Sequence, residues 1–123
     1  MSIVQNKFAK TFWYAKTNGV SISNDREVET FQTPVQLQYN VQPMSGDLDF
    51  AMYGERARQM KKMVVSNIPS HKSLFTRMSR AYFDGVTPTG ETVYGSKANY
   101  RVVDVREYHM TLHVIFDLIP TKG

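Results

Sequence analysis

The segment Gly90–Lys97 (GETVYGSK) spaces two glycines as a phosphate-binding loop does. Such a loop needs a lysine directly after the second glycine and a hydroxyl residue after the lysine, because the first contacts phosphate and the second holds magnesium. Here Ser96 precedes Lys97, and Ala98 follows it. The residues beyond predict a strand, so no helix N-terminus is expected to receive a phosphate. We therefore predict no nucleotide site.

Histidines and carboxylates at short spacings suggest metal binding or acid–base chemistry. His109 and His113 would share one face of a helix, but the surrounding pattern predicts a strand, where four residues span about 13 Å, too far for one zinc ion. Asp47 and Asp49 begin like a calcium loop, but Glu55 comes three positions before the required glutamate. The sequence also has no G-x-S-x-G nucleophile motif. We predict no enzyme and no catalytic, metal or cofactor site.

Basic and aromatic residues give the strongest binding signal. Four basic residues fall within seven positions: Arg56, Arg58, Lys61 and Lys62. The aromatic residues of interest are Phe12, Trp13, Tyr14, Tyr82, Phe83 and Tyr100. A small barrel with stacking aromatics and a basic track can bind single-stranded nucleic acid. Adjacent aromatics on a strand face opposite ways, so part of the run at 12–14 belongs in the core. The basic cluster is either a solvated face or a contact for an acidic partner.

Composition indicates a self-sufficient globular chain. The 123 residues are 41% hydrophobic and 21% charged, which argues for one domain, residues 1–123, and against disorder. The chain has no Cys, which excludes disulfides, cysteine zinc sites and a thiol nucleophile. The formal net charge of +4 permits an acidic partner. No apolar run is long enough for a transmembrane helix, and the start MSIVQNKFAK does not predict a secretory signal.

Alternation of apolar and polar residues predicts a β protein. The expected strands are 9–17, which the Asn18–Gly19 turn ends, and 26–32, 35–42, 98–107 and 110–119. Residues 55–66 fit a strand better than a helix, although both remain open. The expected loops are 21–25, 43–54, 67–72 and 87–97, with one possible helical turn after Asp47. These elements predict an all-β fold, a small β-barrel of about six strands with one short helix and long loops.

The strand from Val35 has a polar face made of amides. Gln36, Gln38 and Asn40 alternate with apolar residues and carry no charge, which suits a face that meets a partner as well as an ordinary wet face. The methionines offer a second candidate contact, since Met adapts to imperfect partners. Those expected at the surface are Met44, Met52, Met60 and Met63, and the alternative is that they fill the core.

The order of several short blocks resembles the head-closure, or stopper, proteins of tailed bacteriophages, a branch of the head–tail joining family. The blocks are Phe12–Ala15, Thr33–Val35, Ser45–Asp47, Tyr53–Arg56, Ala81–Phe83, Thr87–Pro88, Gly90 and Ala98–Val102. Each block alone is weak, and it is their order over most of the chain that carries the resemblance.

The resemblance implies a β-barrel subunit in a six-fold or twelve-fold ring at the head–tail joint of the virion, made in the bacterial host cytoplasm. The implied partners are other copies of the chain, the portal or adaptor proteins, the tail terminator or tail tube, and double-stranded viral DNA bound non-specifically, with no membrane. A loop would close the DNA channel, and by position that role goes to Pro43, Met44, Ser45, Gly46, Asp47, Leu48, Asp49, Phe50, Tyr53, Gly54 and Arg56. The interface residues are Gln36, Gln38, Asn40, Arg58, Lys61 and Lys62. The loop at 66–73 is an alternative for the channel.

Two other functions remain open from the sequence. One is a tail-terminator or minor capsid protein of the same neck region, which shares the structural role. The other is the single-strand-binding barrel, which rests on the basic cluster and the aromatic residues.

Overall fold

A computed structural model describes residues 9–44 and 47–120, except the side chains of Asp47 and Leu48. The strands are β1 Lys10–Ala15, β2 Thr17–Ser23, β3 Arg26–Phe31, β4 Val35–Tyr39, β5 Val41–Pro43, β6 Met60–Ser66, β7 Arg80–Tyr82, β8 Tyr100–Glu107 and β9 Thr111–Leu118. The helices are α1 Asp47–Tyr53, a 3₁₀ helix Gly54–Gln59, and α2 Pro69–Leu74. The expected all-β class is confirmed, with more helix than predicted.

Seven strands form one curled antiparallel sheet in the order β4-β1-β7-β8-β9-β6-β5. The two edge strands, β4 and β5, follow each other in the chain with only Asn40 between them. The sheet therefore curls until its edges meet at one bend, and β4 and β5 act as a single bent strand. Counted in this way, six strands curl around the core as a half-barrel, which is consistent with the predicted small barrel.

The core fills the concave side of this sheet. Alternate residues of each strand point inward, so Phe12 and Tyr14 of β1 are buried while Trp13 between them is half-buried. Phe83 packs between Phe12 and Phe116, with ring centroids 4.7 and 5.0 Å away. The prediction that the run at 12–14 contributes to the core is confirmed.

Helix α2 lies between β4 and β6, two strands that do not pair with each other. His71 contacts β4 through the Tyr39 ring, and Nδ1 of His71 is 2.8 Å from the carbonyl oxygen of Ser66. That oxygen only accepts, so Nδ1 carries the proton and Nε2 accepts from the Tyr39 hydroxyl at 3.2 Å. The loop predicted at 67–72 is therefore wrong, because Pro69 begins a short helix whose Phe75 end is buried in the core.

A second core lies on the convex side of the sheet. Met44, Ala57 and Met60 pack on Ile115 of β9, joined by half-buried Tyr53 and Val103. Residues 43–54 were expected to be a long connection with one possible helical turn after Asp47. The structure has a helix at Asp47–Tyr53, and it leads to this contact. Three of the methionines expected at the surface, Met44, Met60 and Met63, are buried, and only Met52 is exposed. The alternative that methionine fills the core is correct for these three.

Candidate interaction surfaces

One β-ribbon projects from the barrel. In the β1–β4 pair Lys10 lies opposite Tyr39, and in the β2–β3 pair Ser23 lies opposite Arg26. Ser23 is thirteen residues after Lys10, and Arg26 is thirteen residues before Tyr39. The same antiparallel register therefore continues past the end of the barrel, interrupted by a bulge between Thr17 and Val20. We call the projecting part, Thr17–Phe31, the arm. At about 3.3 Å per residue it extends roughly 20 Å.

The tip of the arm is a two-residue turn. Asn24 and Asp25 have φ angles of 53° and 62°, the left-handed pair that a type I′ hairpin turn requires. The sequence prediction of a turn at Asn18–Gly19 is wrong. The loop predicted at 21–25 is correct only for Asn24 and Asp25, because residues 21–23 belong to β2. Gly19, with φ 88°, instead lies in the bulge.

Apolar side chains on the arm are open to solvent. Val20 and Ile22 lie on one face of β2 and are 59% and 78% exposed, and Val28 on β3 is 37% exposed. A two-stranded hairpin with no covered face has little stability of its own in water. The arm is the largest feature that the sequence analysis missed, although Val20-Ser21-Ile22-Ser23 carries the alternation that signals a strand.

The base of the arm is fastened to the barrel. Glu29 forms a salt bridge of 3.0 Å with Arg80 of β7, and the Arg80 guanidinium lies 4.8 Å from the Phe31 ring centre. Burial lowers the pKa of Arg80, an effect that the Glu29 charge opposes. The backbone N–H of Thr17 also donates to the Ser79 hydroxyl at 3.0 Å. These contacts fix the direction of the arm and leave its outer half open.

The β4 edge is an uncharged surface. Gln36, Gln38 and Asn40 are exposed, as expected for the predicted interface, and within the described ranges β4 pairs with β1 alone. The sequence from Gln32 to Gly46 contains no charged residue. Edge strands are commonly protected against pairing by charges, and β4 lacks that protection.

The predicted channel segment is tied to the convex face. Arg56 donates to the carboxylate of Asp117, which is 2% exposed, and Gln59 donates to the same carboxylate at 3.0 Å. Burial of Ala57 between these residues completes the contact. Ser45 and Gly46, also assigned to the channel, lie outside the described residues.

Polar contacts also hold helix α1. Tyr53 donates to Asp104 at 3.3 Å and accepts from Arg106, and burial raises the pKa of Tyr53. The nearby His113 has its pKa lowered by burial and by the cations Lys62 and Arg106. The outward face of α1 is apolar, because Phe50 and Met52 are 40% and 50% exposed.

Every member of the basic cluster has a carboxylate partner. Besides the pair of Arg56 with Asp117, the nitrogen-to-oxygen distances are 3.7 Å for Arg58–Glu55, 3.4 Å for Lys61–Asp84 and 3.6 Å for Lys62–Asp49. Arg58, Lys61 and Lys62 are close in the sequence, but in the structure each has a different acidic partner. A phosphate would compete with these carboxylates.

The aromatic residues do not line an open platform. Phe12, Tyr14, Tyr82, Phe83 and Tyr100 are all at most 6% exposed. Stacking with bases needs open ring faces, and these faces are covered by protein.

The Gly90–Lys97 loop supplies its own anion. The Glu91 carboxylate accepts from the backbone N–H groups of Gly95 and Lys97 at 3.1 and 2.8 Å and from the Tyr82 hydroxyl at 2.7 Å. The amides that a phosphate loop would offer to a nucleotide are thus occupied by Glu91. Irregular backbone was predicted for residues 87–97 and is confirmed.

Within residues 9–44 and 47–120, no set of three or more His, Cys, Asp or Glu side chains is placed to hold a metal ion. His109 lies in the β8–β9 turn and His113 in β9, as their predicted strand context requires.

No family model matches the chain, and neither do any curated protein or solved structure. Among the described residues, no helix is long and apolar enough to span a membrane.

Proposed function

We propose that this chain is a structural subunit of the head–tail connector of a tailed bacteriophage, where it forms the ring that closes the DNA-filled head and docks the tail. The observation that carries the proposal is the arm, which holds Val20 and Ile22 in solvent on a ribbon fastened only at its base. Exposed apolar residues on a projecting hairpin favour contact with another protein. The resemblance in the order of sequence blocks supplies the location.

A ring subunit needs two different contact surfaces, because a rotational head-to-tail contact joins unlike faces. The arm and the uncharged β4 edge are two such surfaces on one chain. They support an assembling subunit, since an open strand edge and exposed apolar side chains both suit contact with another protein.

The segment from Pro43 to Arg56 is the part that we assign to the DNA channel. Its helix α1 carries the exposed side chains of Phe50 and Met52, and the 72% exposed side chain of Arg58 follows it in the 3₁₀ helix. Any contact with double-stranded DNA would be to phosphates, independent of sequence and sensitive to salt. Portal or adaptor proteins and the tail terminator are the proposed neighbours on the two sides of the ring.

Electron microscopy of connectors from infected cells tests the proposal. We expect a ring of this chain between portal and tail, identified by a tag on an exposed loop. Connectors that are complete but contain no copy of the chain would reject it. A position next to the tail tube, with a different protein closing the head, would favour the tail-terminator assignment.

The single-strand-binding alternative has less support, because its aromatic residues other than the half-buried Trp13 are buried and its cations are paired. A titration with labelled single-stranded oligonucleotides at low and at physiological salt tests it. We expect no saturable binding, and tight, salt-sensitive binding would restore this alternative.

A further inference from the structure

The arm and the β4 edge each lack a neighbouring strand that the other could supply. The arm is a two-stranded ribbon that lacks a third strand, and a third strand is what a hairpin needs for stability in water. Strand β4 is a sheet edge that, in the described part of the chain, pairs on one side only. Strand addition would satisfy both at once, because main-chain hydrogen bonds form along both edges.

Charge identifies which arm strand would pair. Strand β2 (Thr17–Ser23) contains no charged residue, whereas β3 carries Arg26, Glu27 and Glu29. Strand β4 is uncharged as well. Pairing β2 with β4 therefore buries no charge, while pairing β3 with β4 would place three charged side chains against an uncharged strand.

A β2–β4 pair would have to join two different copies of the chain. Within one chain, β3 leads through 32–34 directly into β4, so the arm points away from its own β4 edge. We propose that β2 of one copy adds to the β4 edge of the next copy and that repetition of this contact closes a ring. The contact is heterologous, so each copy uses its arm once and its edge once. This proposal rests on the proposed function in one respect only, the location of the ring at the head–tail joint.

Cysteine cross-linking tests the contact directly, because the native chain has no Cys. Ser21→Cys places a thiol on β2, and Gln38→Cys places one on β4, both at exposed positions. A short bis-maleimide joins thiols without requiring one exact register. The double variant should give a ladder of dimers, trimers and larger species, in purified protein at high concentration and in connectors isolated from particles. His109→Cys lies in the β8–β9 turn, at the opposite end of β8 from the arm base. Paired with Gln38→Cys, it is the matched control and should give no ladder.

Each result has a definite meaning. Dimers from Gln38→Cys alone, with no ladder from the double variant, would show a two-fold contact between β4 edges and overturn the proposal. Complete rings in microscopy without arm-to-edge cross-links would overturn it while leaving the connector function intact. A ladder from a chain that is absent from connectors would support the contact and reject the connector function.

A shortened arm provides a second test. Replacing residues 21–28 by Asn-Gly joins the paired residues Val20 and Glu29 through a two-residue turn and keeps the Glu29–Arg80 bridge. We expect this variant to fold with an unchanged melting temperature but to lose the assembled species. Asp25→Gly, which keeps the arm at full length, should assemble normally. Assembly of the shortened variant at wild-type concentration would exclude the arm as the contact.

Discussion

Arg56 of the 3₁₀ helix donates to the buried carboxylate of Asp117 on β9, which also accepts from Gln59. Asp117 is almost fully buried in the sheet, whereas Arg56 is half exposed. The pair therefore holds the helical segment against the sheet. The segment assigned to the channel is thus part of the folded structure, and the stability of the protein depends on it.

Arg56→Ala should lower the free energy of unfolding by about 1–3 kcal/mol, because the Asp117 carboxylate would stay buried with Gln59 as its remaining partner. Urea unfolding followed by Trp13 fluorescence measures this. Arg58→Ala is the matched control, since its pair with Glu55 is solvent-exposed and should change stability by less than about 0.5 kcal/mol. Equal effects of the two substitutions would contradict the structural role of the Arg56 pair.

Gly95→Ala should destabilise the base of the arm. Gly95 has a φ of 87°, and an added Cβ would lie 2.7 Å from the Phe31 ring, so the substitution combines backbone strain with a clash. Gly85→Ala is the control, because φ is 85° there and nothing lies within 4 Å of the added atom. We expect a lower melting temperature for Gly95→Ala than for Gly85→Ala. Equal melting temperatures would show that Phe31 moves aside at no cost.

Stability should fall as the solution becomes alkaline. Burial and the Glu91 carboxylate raise the pKa of Tyr82, and burial also raises the pKa of Tyr14 and Tyr100. The unfolded chain releases these protons near the ordinary pKa of 10.0, whereas the folded chain keeps them, so the folded state binds more protons above that pH and loses stability as pH rises. Below pH 10 this contribution is fully present.

Urea unfolding at pH 8, 9.5 and 10.5 would measure this fall, and Tyr82→Phe isolates one contribution. The variant should be less stable than the wild type at pH 8, because Glu91 and the Gly95 N–H lose the Tyr82 hydroxyl as a partner. Its stability should then decline less steeply above pH 10. A parallel decline in both proteins would mean that Tyr82 does not titrate differently in the folded state.

The barrel could be predicted from the sequence where alternation decides the face of a strand. Phe12 and Tyr14 must share the core side of β1, and Val114 and Phe116 must share that of β9, so both strands were predicted close to their observed bounds. The arm turn could not be predicted in the same way. Asn18-Gly19 is the stronger local turn signal, but the β1–β4 register fixed by the core carries the ribbon on to Asn24–Asp25.

Helix α2 and the contacts on the convex face could not be predicted from local sequence patterns, for a different reason. α2 is six residues long, too short for a helical period to show, and it is held by tertiary contacts of His71 and Phe75. The pairing of Arg56 with Asp117 joins positions 61 residues apart, and nothing near either residue in the sequence signals it. The amides of β4 were predicted to be exposed, and they are, but their role as an interface stays a prediction.

The outward face of α1 offers the sharpest test of the channel assignment. Phe50 and Met52 are exposed, and the Met52 sulfur accepts from the Arg106 guanidinium at 3.2 Å, a solvent-exposed contact. Phe50→Ser with Met52→Ser should therefore leave the melting temperature nearly unchanged. If this face closes the channel, particles carrying both substitutions should lose packaged DNA, and a nuclease-protection assay on filled heads would show a lower protected fraction. Val93→Ser, at a 65% exposed position on the distant 87–97 loop, should retain DNA as the wild type does. Full protection in the double variant, with the ring present in the same particles, would remove α1 from the channel and leave the connector role to be carried by the arm and the β4 edge.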